Sequence, residues 1–156
     1  MVESSGIISN FKFISYKVDE FKFDMSKHLS LLGFVGNTVQ DDWEINLSIK
    51  QPTFFKKNNS YIGGINCKIA LLSDKIPILN LETSISGLFQ SDDLLDKEVE
   101  ESLVKYQIPT ILFPYLRSTI TTFIANAGFG AFIFPLINVV ELSKKTLKDI
   151  QINIVE

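Results

Sequence analysis

An α+β fold, with a four-stranded antiparallel sheet leading into helices, is what this sequence predicts. Apolar residues alternate with period two through the first half, they recur at helical spacing through the second, and several of the strand connections are only of hairpin length. Parallel neighbours would need long helical crossovers, so these connections favour an antiparallel meander.

The clearest strand is Trp43-Glu44-Ile45-Asn46-Leu47-Ser48-Ile49-Lys50, a strict apolar–polar alternation with one face for a core. Upstream, Phe11 and Phe13 fall on odd positions, Ile14, Tyr16 and Val18 on even ones, and Phe21 and Phe23 on odd ones again. An inserted residue moves the pattern to the other face, so the first strand is expected to carry bulges or a bend. Ile65, Cys67, Ile69 and Leu71 make a third run, and Leu79, Leu81, Thr83 and Ile85 a fourth, joined by the short polar turn Ser73-Asp74-Lys75. Pro52 to Ser60 reads as a longer polar loop.

Helical spacing begins after Ser91, Asp92 and Asp93, which offer a cap and an acidic first turn. Leu95, Val99, Leu103 and Tyr106 then share a face until Ile108-Pro109 stops the helix. A second helix starts near Thr110, with Pro114 in its first turn, Leu112, Leu116, Ile120, Phe123 and Ala127 inward, and Gly128 as its stop. Phe129 to Ile137 is apolar but broken by Gly130 and Pro135, an irregular packed crossing. A short last helix spans about Val139 to Ile150, with Lys144, Lys145 and Lys148 near its C-terminal end, where the dipole favours cations.

A chain of 156 residues suits one domain, residues 1–156, able to bury roughly two-thirds of its unfolded surface. At 46% apolar and 21% charged residues it is not a disordered chain. A net charge of -3 and a pI near 5.2 give no footprint for nucleic acid. One cysteine, Cys67, and one histidine, His28, exclude a disulfide framework and a Cys/His zinc site; they read as a small core residue and a solvated loop residue.

Gly63-Gly64 lacks a following Lys-Ser/Thr and Gly128-Phe129-Gly130 follows a helix, so no nucleotide loop is present. Asp41-Asp42 and Asp92-Asp93 read as a loop and a cap. No cofactor, metal or catalytic residue is expected, and the chain is not expected to be an enzyme. Met1 to Asn10 carries Glu3 and only Ile7-Ile8 as apolar core, unlike a secretory signal, so a reducing, cytoplasmic setting is expected. Ser118 to Val140 is uncharged, but its glycines and Pro135 would break a membrane helix, and no stable membrane insertion is expected.

The aromatic load is high, with 13 Phe, 4 Tyr and 1 Trp. Helices on one side of a sheet leave its other face uncovered, and that face is expected to be apolar here. Two covers are open: a homo-oligomer interface, or extended apolar segments of other chains.

Ile108-Pro109-Thr110-Ile111-Leu112-Phe113-Pro114-Tyr115-Leu116-Arg117 resembles the Cys-Pro-x-x-Leu-Phe-Pro-Tyr-Ala-Arg-like run of the SecB protein-export chaperones. Gly87-Leu88-Phe89 stands where that family ends its last long strand, Phe129 through Asn138 resembles its apolar crossing, and Phe11, Phe23 and Asp24 fall in register with its first strand. The resemblance covers about Phe11 to Leu142. Ile108 replaces the family's Cys, Gly130 its Pro, Ser118 its Glu, and Val139 its aromatic residue.

The resemblance implies a four-stranded antiparallel sheet followed by a long broken helix and a short one, assembled as a homotetramer. It also implies an ATP-independent holdase that binds unfolded polypeptide clients along apolar grooves and passes them to SecA for export. Alternatives within this reading are a dedicated chaperone of an antitoxin in a toxin-antitoxin-chaperone system, and a non-catalytic oligomeric scaffold. The implied client-binding residues are Trp43, Ile45, Leu47, Phe129, Phe132, Phe134, Ile137 and Leu142. The implied acidic SecA-docking positions are Glu20, Asp24 and Glu82, interleaved here with Lys17, Lys22 and Lys27.

Overall fold

The computed structural model describes residues 10–26, 42–73, 75–129, 132–147 and 151–156. His28 and Lys27 lie outside them. The strands are β1 (Phe11–Met25), β2 (Asp42–Ile49), β3 (Thr53–Phe55), β4 (Ser60–Ser73), β5 (Ile76–Ser91) and β6 (Asn153–Val155). The helices are α1 (Lys97–Ser102), α2 (Ile108–Ile124) and α3 (Val139–Thr146).

The α+β class holds, but the sheet has six strands instead of four, in the order β1-β5-β4-β3-β6, with β2 also on β4. The two additional strands are short. β3 lies in the stretch expected to be a polar loop, where Phe54 is buried against Tyr61. β6 pairs in parallel with β3, whereas the other pairings are antiparallel. β2 and β3 together form one interrupted line along β4, from Asp42 opposite Leu72 to Phe55 opposite Ser60.

Nor is the sheet a meander. β1 lies beside β5, the last long strand, in a Greek-key order. Turn lengths cannot reveal this, because β1 finds its neighbour by packing: Phe11 stacks on Phe89 at 5.3 Å and Phe21 meets Phe123 at 4.6 Å.

The two phase changes in β1 are two bulges. Pairing with β5 shifts register between Phe13 and Ser15 and again between Val18 and Glu20, leaving Ile14 and Asp19 as the extra residues. Phe13, Tyr16, Val18, Phe21 and Phe23 therefore all stand opposite residues of one face of β5: Phe89, Gly87, Ile85, Thr83 and Leu81. The sequence shifts phase twice so that the chain does not.

That face is the core. Tyr61, Ile65, Cys67, Ile69 and Leu71 of β4 and Leu79, Leu81, Ile85 and Phe89 of β5 are buried beneath Leu103, Ile108, Leu112, Leu116, Ile120 and Ile124 of the helix. Each such side chain contributes about 1.5–3 kcal/mol on burial. Two glycines seat the helix. Gly63 and Gly87 are register partners on β4 and β5; a Cβ on Gly63 would lie 2.6 Å from Ile108 Cγ2, and one on Gly87 2.6 Å from Leu112 Cδ2. Ile108 and Leu112, one turn apart, thus rest on bare backbone. Tyr61 also donates from its hydroxyl to Glu100 Oε2 at 2.6 Å; burial first, and then this carboxylate, push its pKa well above the ordinary phenol range.

Ile108-Pro109 does not end the helix. α1 continues through a π-helical turn, Leu103–Gln107, into α2, with Ile108 N–H donating to Leu103 O. Pro109 has no N–H for the carbonyl four residues back, that of Lys105, and the buried Ser143 hydroxyl donates to this carbonyl at 2.6 Å. The partner comes from a distant segment, so no local pattern announces it. The helix also starts later than expected: Ser91 closes β5 and donates to Asp93 O, and α1 begins at Lys97. Pro114 consequently sits inside α2, where its missing N–H deprives the carbonyl of the exposed residue Thr110 of its usual helical partner.

Gly128, with φ 99, ends the long helical stretch as expected. α3 starts on Asn138, whose side chain accepts from Glu141 N–H at 3.2 Å, and stops at Thr146 instead of near 150. Residues 148–150 are outside the description.

The other face of the sheet is not the apolar surface expected. Its positions include Lys17, Glu20, Lys22 and Asp24 of β1, Asn66 and Lys68 of β4, and Asn80, Glu82, Ser84 and Ser86 of β5. Polar residues hold the middle of this face, with Ile62 and Leu88 toward one end and Ala70 toward the other, and the aromatic residues of β1 lie on the core side. One clasp crosses this face: Lys50 Nζ passes over Gly64 to Asp19 at 2.9 Å, and Asp19 also takes Lys17 Nζ at 3.2 Å and the Ser86 hydroxyl. Burial alone would raise the Asp19 pKa, but the hydrogen bonds from Ser86, Lys50 and Lys17 outweigh it and hold the carboxyl at about 2.

Candidate functional site

Surface for unfolded chain has to be apolar and open. On the crossing before α3, residues 132–137 bring apolar side chains to the surface through their own alternation. Phe132 packs on Trp43 of β2, rings 4.6 Å apart, and Phe134 turns into the core against Phe113 at 5.5 Å. Between and beyond them Ile133 and Leu136 point outward, 86% and 91% exposed, with Val140 of α3 at 43%. Two inward rings thus hold a strip of aliphatic side chains in water.

The client-binding candidates divide accordingly. Trp43, Phe132 and Phe134 come together, and Trp43, Phe132 and Ile137 are half-buried at the edge of the core. Phe134, at 5% exposed, belongs to the core and cannot itself offer a free surface. Ile45 and Leu47 stand on the core face of β2, opposite Ile69 and Cys67, also half-buried. Leu142 is half-buried on α3. The Phe129 side chain lies outside the description.

Ile133, Leu136 and Val140 were missed by sequence reasoning. The signal was present, since Phe132-Ile133-Phe134 alternates in size as an extended segment does, and in such a segment one aromatic set turned inward sends the residue between outward.

A second open apolar strip runs along β1. Tyr16 and Val18 are on the core side yet 43% and 40% exposed, and a groove of ≈ 510 Å³ between β1 and α2 is lined by Val18, Phe21, Thr122 and Phe123, among others. The bulges explain why these residues face α2: Tyr16 meets Tyr115 at 4.4 Å, whereas Val18 looks onto Ser118, Thr119 and Thr122, short side chains that leave the groove open.

The three acidic candidates lie together on the opposite, polar face: Glu20 opposite Ser84, Asp24 opposite Asn80, and Glu82 between Lys22 and Lys68 in register. Two of the three carry a lysine. Lys22 sits 3.0 Å from Glu20, whose bond raises the Lys22 pKa, and Lys68 sits 3.6 Å from Glu82. The row alternates in sign, so the face holds far less negative potential than three free carboxylates would.

Among the described residues no group of acidic, cysteine or histidine side chains is placed to hold a metal ion. Burial pushes the Cys67 thiol up to about 12, far from nucleophilic. No described helix is long and apolar enough to cross a membrane.

Comparison with known proteins bears on the same elements. A family model described as "Preprotein translocase subunit SecB" matches residues 27–149. The "Protein-export protein SecB" of Burkholderia vietnamiensis is 37% identical over 82 residues, 53% of this chain and 50% of that protein; the Burkholderia multivorans protein of the same name matches equally. The chain thus spans about half the length of the curated relatives it matches. Among solved structures, a SecB-like chaperone of Mycobacterium tuberculosis in complex with a ChAD peptide from the HigA1 antitoxin shares the fold, with TM-score 0.60 and 10% identity over 82% of this chain and 91% of that one.

Proposed function

Because this chain belongs to the SecB family, we propose that it is a non-catalytic, ATP-independent chaperone that holds unfolded polypeptide through the apolar strip of its crossing segment. The observation that carries this reading is the exposure of Ile133 and Leu136 on a segment pinned by Phe132 and Phe134. Exposed aliphatic side chains on a fixed backbone present area to any extended apolar segment, so recognition depends on the client's being unfolded and not on its sequence. Trp43, Ile45, Leu47, Ile137 and Leu142 form the half-buried floor of this surface, and Phe134 supports it from the core.

The working form is a cytoplasmic homotetramer, its subunits joined through the uncovered strip of β1 and α2. SecA is a partner only through Glu20, Asp24 and Glu82, and the lysines beside Glu20 and Glu82 weaken that docking. A dedicated antitoxin chaperone is the second reading, favoured by the ChAD peptide in the complex of the structural neighbour.

Unfolded, reduced lactalbumin added without nucleotide tests the main reading. The complex should form with the unfolded protein and not with the native one, at the mass of an oligomer by light scattering. An intact oligomer that binds no unfolded protein overturns it, and binding confined to one antitoxin selects the second reading.

A further inference from the structure

Residues 151–156 carry β6, the strand at the edge of the sheet opposite β1, yet little in them belongs to the core. Asn153, Ile154 and Val155 are all exposed, and only Ile152 reaches the apolar cluster. What holds the segment is an edge. Asn153 N–H donates to Pro52 O at 2.9 Å, Gln151 N–H to Gln51 Oε1 at 3.3 Å, and Lys56 pairs with the exposed Glu156 carboxylate at 2.6 Å. Three residues of parallel pairing and one solvated ion pair make a weakly held strand.

The sequence of the segment is itself that of a client. Gln151-Ile152-Asn153-Ile154-Val155 is uncharged, β-forming and alternating at 152 and 154, a pattern that an edge strand accepts by backbone pairing. Its seat is also well placed. β3 continues the line of β2 along β4, and β2 carries Trp43, Ile45 and Leu47, so a chain extended along that line meets β3 next. Ile154 stands opposite Phe54 and so over the same face of the sheet as the candidate surface.

We propose that the β3 edge is a strand-accepting site for an extended, alternating apolar segment of a client, and that residues 151–156 occupy it in the free chain as a displaceable resident strand. This rests on the chaperone reading above. The resident strand covers backbone groups that would otherwise pair indiscriminately with other edges, and it sets a threshold that only a longer apolar segment exceeds. A client that takes the edge must displace it, so the apparent affinity is reduced by the fraction of chains in which the edge is open.

The test uses the whole chain carrying Asn153→Pro, which removes the N–H given to Pro52 O, together with Glu156→Lys, which reverses the ion pair. Reduced, carboxymethylated lactalbumin is the client, and amide hydrogen exchange of β3 is read alongside affinity. The β3 amides should lose protection in the variant and regain it with client, and affinity should rise at least about threefold. Deletion of residues 151–156 should reproduce both changes if the substituted segment still clings to the edge. Unchanged or weaker affinity, or β3 amides that stay open with client bound, overturns the inference while leaving client binding itself intact. Failure of both forms to bind client removes the chaperone reading and this inference with it.

Discussion

Adding one methyl group at Gly63 tests how the helix is seated on the sheet. The new Cβ would lie 2.6 Å from Ile108 Cγ2, with Ile108 Cδ1 at 3.5 Å, and Ile108 is 1% exposed and stiff at χ1. Alanine in a strand interior is intrinsically better than glycine by about 0.5–1 kcal/mol. Overpacking a closed site costs about 1–3 kcal/mol, so Gly63→Ala should destabilise by a net amount of up to about 2.5 kcal/mol. Ile108→Ala removes the clashing methyl and leaves a cavity, costing about 2–5 kcal/mol on its own. In the double variant the alanine methyl at 63 finds space and fills part of that cavity. The pair should therefore cost less than the sum of the singles, with a coupling of about 1–3 kcal/mol. Urea unfolding of all four proteins at one protein concentration measures it. Additivity within about 0.5 kcal/mol, or a Gly63→Ala chain more stable than the parent, would show that Ile108 does not rest on bare backbone.

Two further predictions concern titration. The Asp19 carboxyl is depressed from 3.8 to about 2, so its contribution to stability is fully present above 3.8 and is lost as pH falls through about 2. Asp19→Asn should flatten the stability profile over that interval, and a carboxyl seen by NMR to titrate at its ordinary value would refute the clasp. Cys67, 1% exposed and raised by burial to about 12, should react with a thiol reagent at neutral pH only as fast as the chain unfolds. Rapid labelling of the folded protein would contradict its burial in β4.

Much of this fold was legible because it is written in periods. The alternation of β2 and β4 and the two phase changes of β1 map directly onto strands and bulges, since side-chain direction in a strand follows position. Gly128 was legible as a stop for a similar local reason. What was hidden depends on distant partners. Pro109 is tolerated because Ser143 satisfies Lys105 O, β1 chooses β5 through aromatic packing, and β6 pairs with a strand about a hundred residues earlier.

The candidate site was half legible for the same reason. Aromatic residues in the crossing drew attention to the segment that carries the exposed strip, but composition cannot tell a ring that anchors from an aliphatic side chain left in water. Phe134 proved to be an anchor, and Ile133 and Leu136 carry the exposed area. On the polar face, the cross-strand register put Lys22 and Lys68 beside Glu82, a pairing invisible in a linear reading.

The most direct measurement is the affinity of a chain carrying Ile133→Asp and Leu136→Asp for unfolded, reduced lactalbumin. Both positions are almost wholly exposed, so stability should move by no more than about 0.5 kcal/mol. Client affinity should fall about tenfold or more, because each aliphatic side chain buried against a client contributes about 1.5–3 kcal/mol. A folded double variant that binds unfolded lactalbumin as tightly as the parent would contradict the assignment of the crossing segment as the client surface.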